Sequence, residues 1–227
     1  MVKMKSKIVV FSDFDGTITE KDVILMIMEE FAPPEWLEIK DKILHKRSIT
    51  LKDGVEKLFN LINSESKDKL ITYVTKNVKI RTGFKDFLDF CNFNKMVFKV
   101  VSGGLNFFIE PLLESHKDSL EIICNDADFN SERIKINYKY LPKNCNLCGN
   151  CGCCKIEIIE QYPKEKYKRV LIGDSLTDLA ASKVVDLVYA RSHLIEYLRQ
   201  ENISYIPFEN FYDIKAHMEK TLLKIKQ

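Results

Sequence analysis

Apolar runs that stop abruptly at polar residues recur along the chain, at residues 8–11, 96–101, 120–124, 170–172 and 187–190. Each is short enough for a buried strand, and a helix fits between each run and the next. The pattern predicts alternating strands and helices around a parallel α/β sheet. The first gap is too long for one helix and reads as helical throughout.

Within that gap, residues 23–31 are apolar on one side, Pro33 and Pro34 punctuate, and residues 35–44 restart with Trp36, Leu37, Ile39, Ile43 and Leu44. Pro34 suits a first helical position. Thr50 with Asp53 three residues on resembles a capping box, opening a helix that carries Val55, Leu58, Phe59 and Ile62 on one face. Residues 67–74 complete a small bundle. Inserted directly after the first strand, it lies over the strands' carboxyl ends, where such sheets bind ligands, and is placed to act as a lid. A smaller insertion follows the third strand, where residues 133–138 alternate like a hairpin strand.

Composition narrows the class. The 227 residues suffice for one core plus an accessory unit. A hydrophobic share of 45% against 30% charged is that of a folded globular chain. The net charge of +2 includes no basic block to track a nucleic-acid backbone, so no nucleic-acid partner is expected. Lys3, Lys5 and Lys7 precede an apolar run far too short for a signal peptide or membrane span, so the cytoplasm is the expected address and no membrane partner is expected.

The candidate chemistry stands where the runs end. Asp13-Phe14-Asp15-Gly16-Thr17 follows the first, and residues two apart on an extended chain face the same way. Paired carboxylates repel unless a cation neutralises them or one keeps a proton. Phosphate-ester chemistry uses both solutions, with one carboxylate as nucleophile and the other as proton donor and then base. Gly173-Asp174-Ser175-Leu176-Thr177-Asp178 follows the fourth run, and carboxylates from neighbouring strands suffice for Mg²⁺. The plainer alternative, a helix start capped by Ser175 or Asp178, leaves Asp174 unexplained. Ser102-Gly103-Gly104 ends the second run and offers a hydroxyl and approachable N–H groups to a phosphate, and Lys155 brings a positive charge.

In that order, aspartates, serine, lysine, aspartates, the chain resembles the haloacid-dehalogenase (HAD) superfamily of phosphatases. The resemblance implies a Rossmann-like α/β core of residues 1–19 and 80–227 with a mobile helical cap of residues 20–79, as in the phosphoserine-phosphatase-like branch. It implies Asp13 as nucleophile, Asp15 as general acid and base, and Ser102, Gly103 and Lys155 on the phosphoryl group. Mg²⁺ would be held by Asp13, the Asp15 carbonyl and Asp174, with Asp178 in support. Phe31-Ala32-Pro33-Pro34-Glu35-Trp36, Asn106-Phe107-Phe108 after the serine motif, and Cys151-Gly152-Cys153-Cys154-Lys155 look like the enolphosphate phosphatases of methionine salvage. Gly16 stands where phosphoserine phosphatases carry serine, and the last motif departs from their G-D-G-x-N-D, which disfavours phosphoserine. Phosphocholine and phosphoethanolamine phosphatases remain the enzymatic alternative, and an inactive zinc-dependent binding module the non-enzymatic one.

Cys145, Cys148, Cys151 and Cys154 are spaced for a tetrahedral zinc site, with Cys153 as a further thiol; the alternative is a Gly-rich loop of thiols. His45, His116, His193 and His217 are scattered and read as surface or capping residues. Phe31 and Trp36 are candidates for a methylthio pocket, against the plainer reading as bundle core. Arg81 reads as one solvated charge among many. The expected partner is a small phosphomonoester.

Overall fold

The computed structural model describes residues 7–44, 46–143 and 150–221. Strands β1 (Lys7–Ser12), β2 (Val97–Leu105), β3 (Glu121–Asp128), β4 (Lys135–Asn137), β5 (Tyr167–Gly173), β6 (Leu187–Ala190) and β7 (Ile206–Pro207) form one sheet in the order β4-β3-β2-β1-β5-β6-β7. All neighbours are parallel except β3 and β4, an antiparallel pair with Ala127 opposite Ile136. The expected hairpin strand is therefore present. β7 escapes a pattern reading because a two-residue edge strand ending in proline carries no periodicity.

The strand runs are continuously apolar because both faces of the sheet are covered. Val10, Val100, Val170 and Ile172 face one core, whereas Val9, Phe11, Val101, Leu171 and Val188 face the other. Helices α7 (Lys155–Glu160), α8 (Leu176–Ser182) and α9 (Ser192–Gln200) close the second face. On the first lie α5 (Phe84–Phe93), α6 (Asn106–Leu113) and α10 (Phe211–Thr221), with Phe211 packed against Phe84 and Phe87 at ring separations of 5.2 and 5.6 Å.

Between β1 and α5 lie α1 (Val23–Phe31), α2 (Trp36–Leu44), α3 (Leu51–Phe59) and α4 (Lys67–Asn77), all helical as expected. Asp22 caps α1 by accepting from the Leu25 N–H at 2.9 Å, and Thr50 caps α3 by accepting from Asp53 N–H at 3.1 Å. Pro34 does not open α2. The Trp36 and Leu37 N–H groups donate to the Pro33 and Pro34 carbonyls, so the prolines form a tight turn and the helix begins at Trp36. Trp36 and Phe31 belong to the apolar core, with Phe31 edge-on to Tyr73 at 5.4 Å, which is the packing role of the plainer reading. Phe59 of α3 meets Phe107 of α6 at 6.0 Å, so the core of the helical insertion continues into that of the sheet.

The two chain crossings into the insertion run side by side. Thr19 bridges Ile80, the Glu20 N–H donates to Lys79 O at 3.0 Å, and the Arg81 N–H donates to Ile18 O at 2.7 Å. No helix among the described residues is long and apolar enough to cross a membrane.

Candidate active site

Strand order reverses at β1, whose chain continues to β2 on one side while β5 lies on the other, and side chains leaving the carboxyl ends of β1 and β5 meet in the crevice this creates. Phe14 is buried in the core against Phe108 at 6.2 Å, so alternation turns Asp13 and Asp15 to the opposite side. The turn that follows depends on Gly16. Its φ is 73°, and a Cβ there would collide with Asp174 Oδ2, so only glycine gives the turn and the close approach together.

Asp13 Oδ1 accepts from Lys155 Nζ at 2.7 Å, and the same ammonium donates to Asp178 Oδ1 at 2.6 Å. The other Asp178 oxygen accepts the N–H groups of Asp174 and Ser175 at 3.1 and 3.2 Å, and Asp178 is wholly buried. Capping is therefore a true part of its role, alongside its pairing with the lysine. Asp174 Oδ1 accepts from Thr17 Oγ1 at 3.2 Å. Oxygens of Asp13, Asp174 and Asp178 lie within 4.8 Å of one another, close enough to share a metal ion. The Asp15 carboxylate stands apart from this triad and accepts the Val23 N–H at the start of α1 at 2.9 Å.

The electrostatics follow from burial. Desolvation, opposed by Lys155 and reinforced by Asp178, pushes Asp13 up to about 6. Burial, then the charges of Asp13 and Asp178, push Asp174 up to about 8. Asp15 is raised well above the ordinary carboxylate range by burial and by neighbouring Asp22 and Asp13. Burial pulls the Lys155 ammonium down, but Asp13 and Asp178 reverse this and hold it above its usual range. Such a set is too negative to be fully ionised by itself, and it suits a cation.

Ser102 is buried, and its hydroxyl accepts the Gly104 N–H at 2.9 Å. The motif lies in the irregular end of β2 rather than on a helix terminus, because β2 runs on to Leu105 before α6 begins. Gly104 lies against Asp15, since a Cβ on it would stand 3.0 Å from Asp15 Oδ2. All four motifs thus converge on the crevice. A separate cleft of about 310 Å³, lined by Lys67, Asn106, Asp126, Phe129 and Asn137 among others, includes none of these carboxylates.

Zinc finds no support. Among the described residues, Asp13, Asp174 and Asp178 are the only His, Cys, Asp or Glu group within common ligating reach. Cys151 Sγ is turned to the Cys153 carbonyl at 3.1 Å, and burial raises the Cys153 thiol to about 12, far from the thiolate a metal needs. Cys145 and Cys148 lie outside the described residues, as does His45. His217 meets the Tyr189 hydroxyl at 2.8 Å, and His116 is edge-on to Phe84.

Arg81 corrects the sequence reading most sharply. It is only 8% exposed, and its guanidinium donates to the carbonyls of Thr17, Gly16 and Thr19 at 2.7, 2.8 and 2.8 Å. Arg191 donates to the same Gly16 carbonyl at 2.6 Å. Neither arginine carries a local signal, because its partners are backbone atoms distant in sequence.

A doubly wound sheet with a buried cluster of carboxylates and one lysine at its switch point defines the class, an enzyme with a Rossmann-like α/β core. The chain belongs to the haloacid dehalogenase-like hydrolase family, whose model matches residues 10–183. It is 43% identical over 219 residues to a Bacillus cereus protein named 2-hydroxy-3-keto-5-methylthiopentenyl-1-phosphate phosphatase, covering 96% of this chain and 98% of that one. A Bacillus velezensis protein of the same name is 41% identical, with 92% and 89% covered. Among solved structures, a phospho-aspartyl intermediate analogue of phosphoserine phosphatase matches with TM-score 0.71 at 19% identity, over 94% of this chain and 99% of that one, which is a likeness of fold. The chain is a phosphoric monoester hydrolase.

Proposed function

We propose that this chain hydrolyses 2-hydroxy-3-keto-5-methylthiopentenyl-1-phosphate to 1,2-dihydroxy-3-keto-5-methylthiopentene and phosphate, in methionine salvage in the cytoplasm. The observation that carries the chemistry is the buried Asp13–Lys155–Asp178 chain of ion pairs with Asp174 beside it. The names of the two Bacillus relatives support the substrate.

Asp13 is the nucleophile. Its carboxylate oxygen attacks phosphorus, the bond to the enol oxygen breaks, and Asp15, whose affinity for a proton is raised by burial, donates a proton to the leaving oxygen. Asp15, now ionised, takes a proton from the water that attacks the aspartyl phosphate, and phosphate leaves with Asp13 restored. Lys155, Ser102 Oγ and the Gly103 N–H hold the phosphoryl oxygens.

Hard oxygens from Asp13, Asp174 and the Asp15 carbonyl fit Mg²⁺, and a divalent ion would offset the burial first, and the neighbouring negative charge second, that raise the proton affinity of Asp13 and Asp174. Asp178 supports rather than ligates, since both its oxygens are engaged. When bound, Mg²⁺ supplies charge neutralisation at the phosphoryl group. Residues 20–79 are the cap, and the paired crossings at Thr19 and Ile80 support that boundary.

The test is kcat/KM with Mg²⁺ against a panel of the enolphosphate, phosphoserine, phosphocholine, phosphoethanolamine and an aryl phosphate. The enolphosphate is expected to lead by about tenfold or more. Phosphocholine or phosphoethanolamine in first place would assign the chain to the alternative substrate class.

A further inference from the structure

Asn125, on β3, is fully buried and belongs to none of the four motifs. Its Nδ2 donates to the Gly103 carbonyl at 3.2 Å and to the Gly152 carbonyl at 3.1 Å, while its Oδ1 accepts the Lys139 N–H at 3.3 Å. Two acceptors on one side and a donor on the other fix the orientation of the amide. These partners come from three separate segments: the end of β2, the loop leading into α7, and the chain after the hairpin strand β4.

Two of those segments carry the groups that the proposed mechanism places on the phosphoryl oxygens. Gly103 adjoins Ser102, and Gly152 lies three residues before Lys155, the first residue of α7. The two segments lie close here, since a Cβ on Gly103 would stand 3.6 Å from the Cys151 carbonyl. The same loop reaches the helical insertion. The Lys52 N–H donates to Asn150 O at 3.2 Å, and the Tyr138 hydroxyl donates to Lys52 O at 3.0 Å. Asn125 thus ties the serine-glycine element directly to the lysine-bearing loop, on the side where the start of α3 rests.

We propose that Asn125 is a positioning residue that sets the distance between the Ser102–Gly103 phosphate cradle and Lys155. A buried amide that donates twice cannot be replaced by a side chain of equal shape without donors, since one buried and one half-buried carbonyl would lose their partners. The carboxylates that would hold Mg²⁺ leave β1 and β5, whereas Asn125 acts across β2 and β3. Its loss therefore acts first on the phosphate cradle, and reaches the metal-holding carboxylates only through the pairing of Lys155 with Asp13.

The proposal rests on the phosphatase reading and is tested with Asn125→Ala, Asn125→Asp and Asn125→Ser in the full chain. Expected for Asn125→Ala are a kcat loss of about 30-fold or more and a rise of about tenfold in the inhibition constant of inorganic phosphate, with Mg²⁺ affinity by calorimetry within about twofold of the parent. Asn125→Asp keeps the shape but loses both donors when ionised. Its activity relative to the parent is expected to recover as pH falls, because a protonated carboxyl donates to one carbonyl again, whereas Asn125→Ala shows no such recovery. Asn125→Ser, with one hydroxyl donor, serves if the other two do not fold, and is expected to fall between parent and alanine levels. Folded variants with a lower melting temperature but unchanged kcat and phosphate inhibition would reduce Asn125 to a structural residue and overturn the proposal. A parent protein without Mg²⁺-dependent hydrolysis would instead sink the phosphatase reading itself.

Discussion

Asp13 and Asp15 are two residues apart and chemically alike, and their partners alone divide their roles. Asp13 faces an ammonium, whereas Asp15 faces a single N–H and the negative charges around it. Asp13→Asn is expected to abolish hydrolysis of both the enolphosphate and an aryl phosphate. Asp15→Asn is expected to slow it by about 10²–10⁴-fold, the usual worth of general acid–base help. Both proteins should stay folded with their parent circular dichroism, since Lys155 retains Asp178. Near-parent rates from a contaminant-free Asp13→Asn preparation would sink the mechanism. At this scale the motif residues were legible, because chemistry that needs paired carboxylates after a buried strand leaves them adjacent in sequence. Arg81, Asn125 and Arg191 were not, because a side chain that serves backbone carbonyls 22 or more residues away leaves no pattern around itself.

At the scale of elements, Arg81 gathers the linker between β1 and α1 around one guanidinium. Hydrogen bonds to charged groups contribute about 1.5–3 kcal/mol each, and removing a buried donor leaves its acceptors unpaired. Arg81→Ala is accordingly expected to lose about 3 kcal/mol or more in urea denaturation, and Arg81→Lys less. Lys85→Ala, which removes an exposed pair with Asp89 at 2.6 Å, should leave stability nearly unchanged. Equal effects of Arg81→Ala and Lys85→Ala would show that the clamp contributes nothing. Element types and their order were readable from periodicity. Their ends were less so: β2 continues past its apolar run through Ser102 and the glycines, because pairing with β3 rather than hydrophobicity holds that stretch.

For the whole molecule, the acidic crevice links stability to pH and metal. Asp13 and Asp174 bind protons more tightly in the fold than in the unfolded chain, at about 6 and about 8 against an ordinary value of about 4. The native state then holds more protons than the unfolded state between those values, so these groups make the metal-free protein less stable as pH rises from about 4 to about 8. Thermal melts in chelator should show this fall, and Asp174→Asn should flatten it. Added Mg²⁺ should raise the melting temperature more at pH 8 than at pH 5, because only ionised carboxylates bind it. An equal shift at both pH values would count against the carboxylate site. Removing the metal should also end turnover, and calcium, larger and less strictly octahedral, should not restore it.

Sequence by itself determined the α/β class, the helical insertion after the first strand and the four motifs, because strand burial, helix periodicity and strand-end chemistry are local properties. Only the tertiary structure decided that β4 lies at the sheet edge, that Asp15 turns from the carboxylate cluster toward α1, and that Asp178 both caps α8 and pairs with Lys155. It alone turned Arg81 from a surface charge into a buried clamp and gave the described cysteines no common metal. The reason is physical: a side chain's partners are fixed by where distant segments meet, and burial then sets its charge.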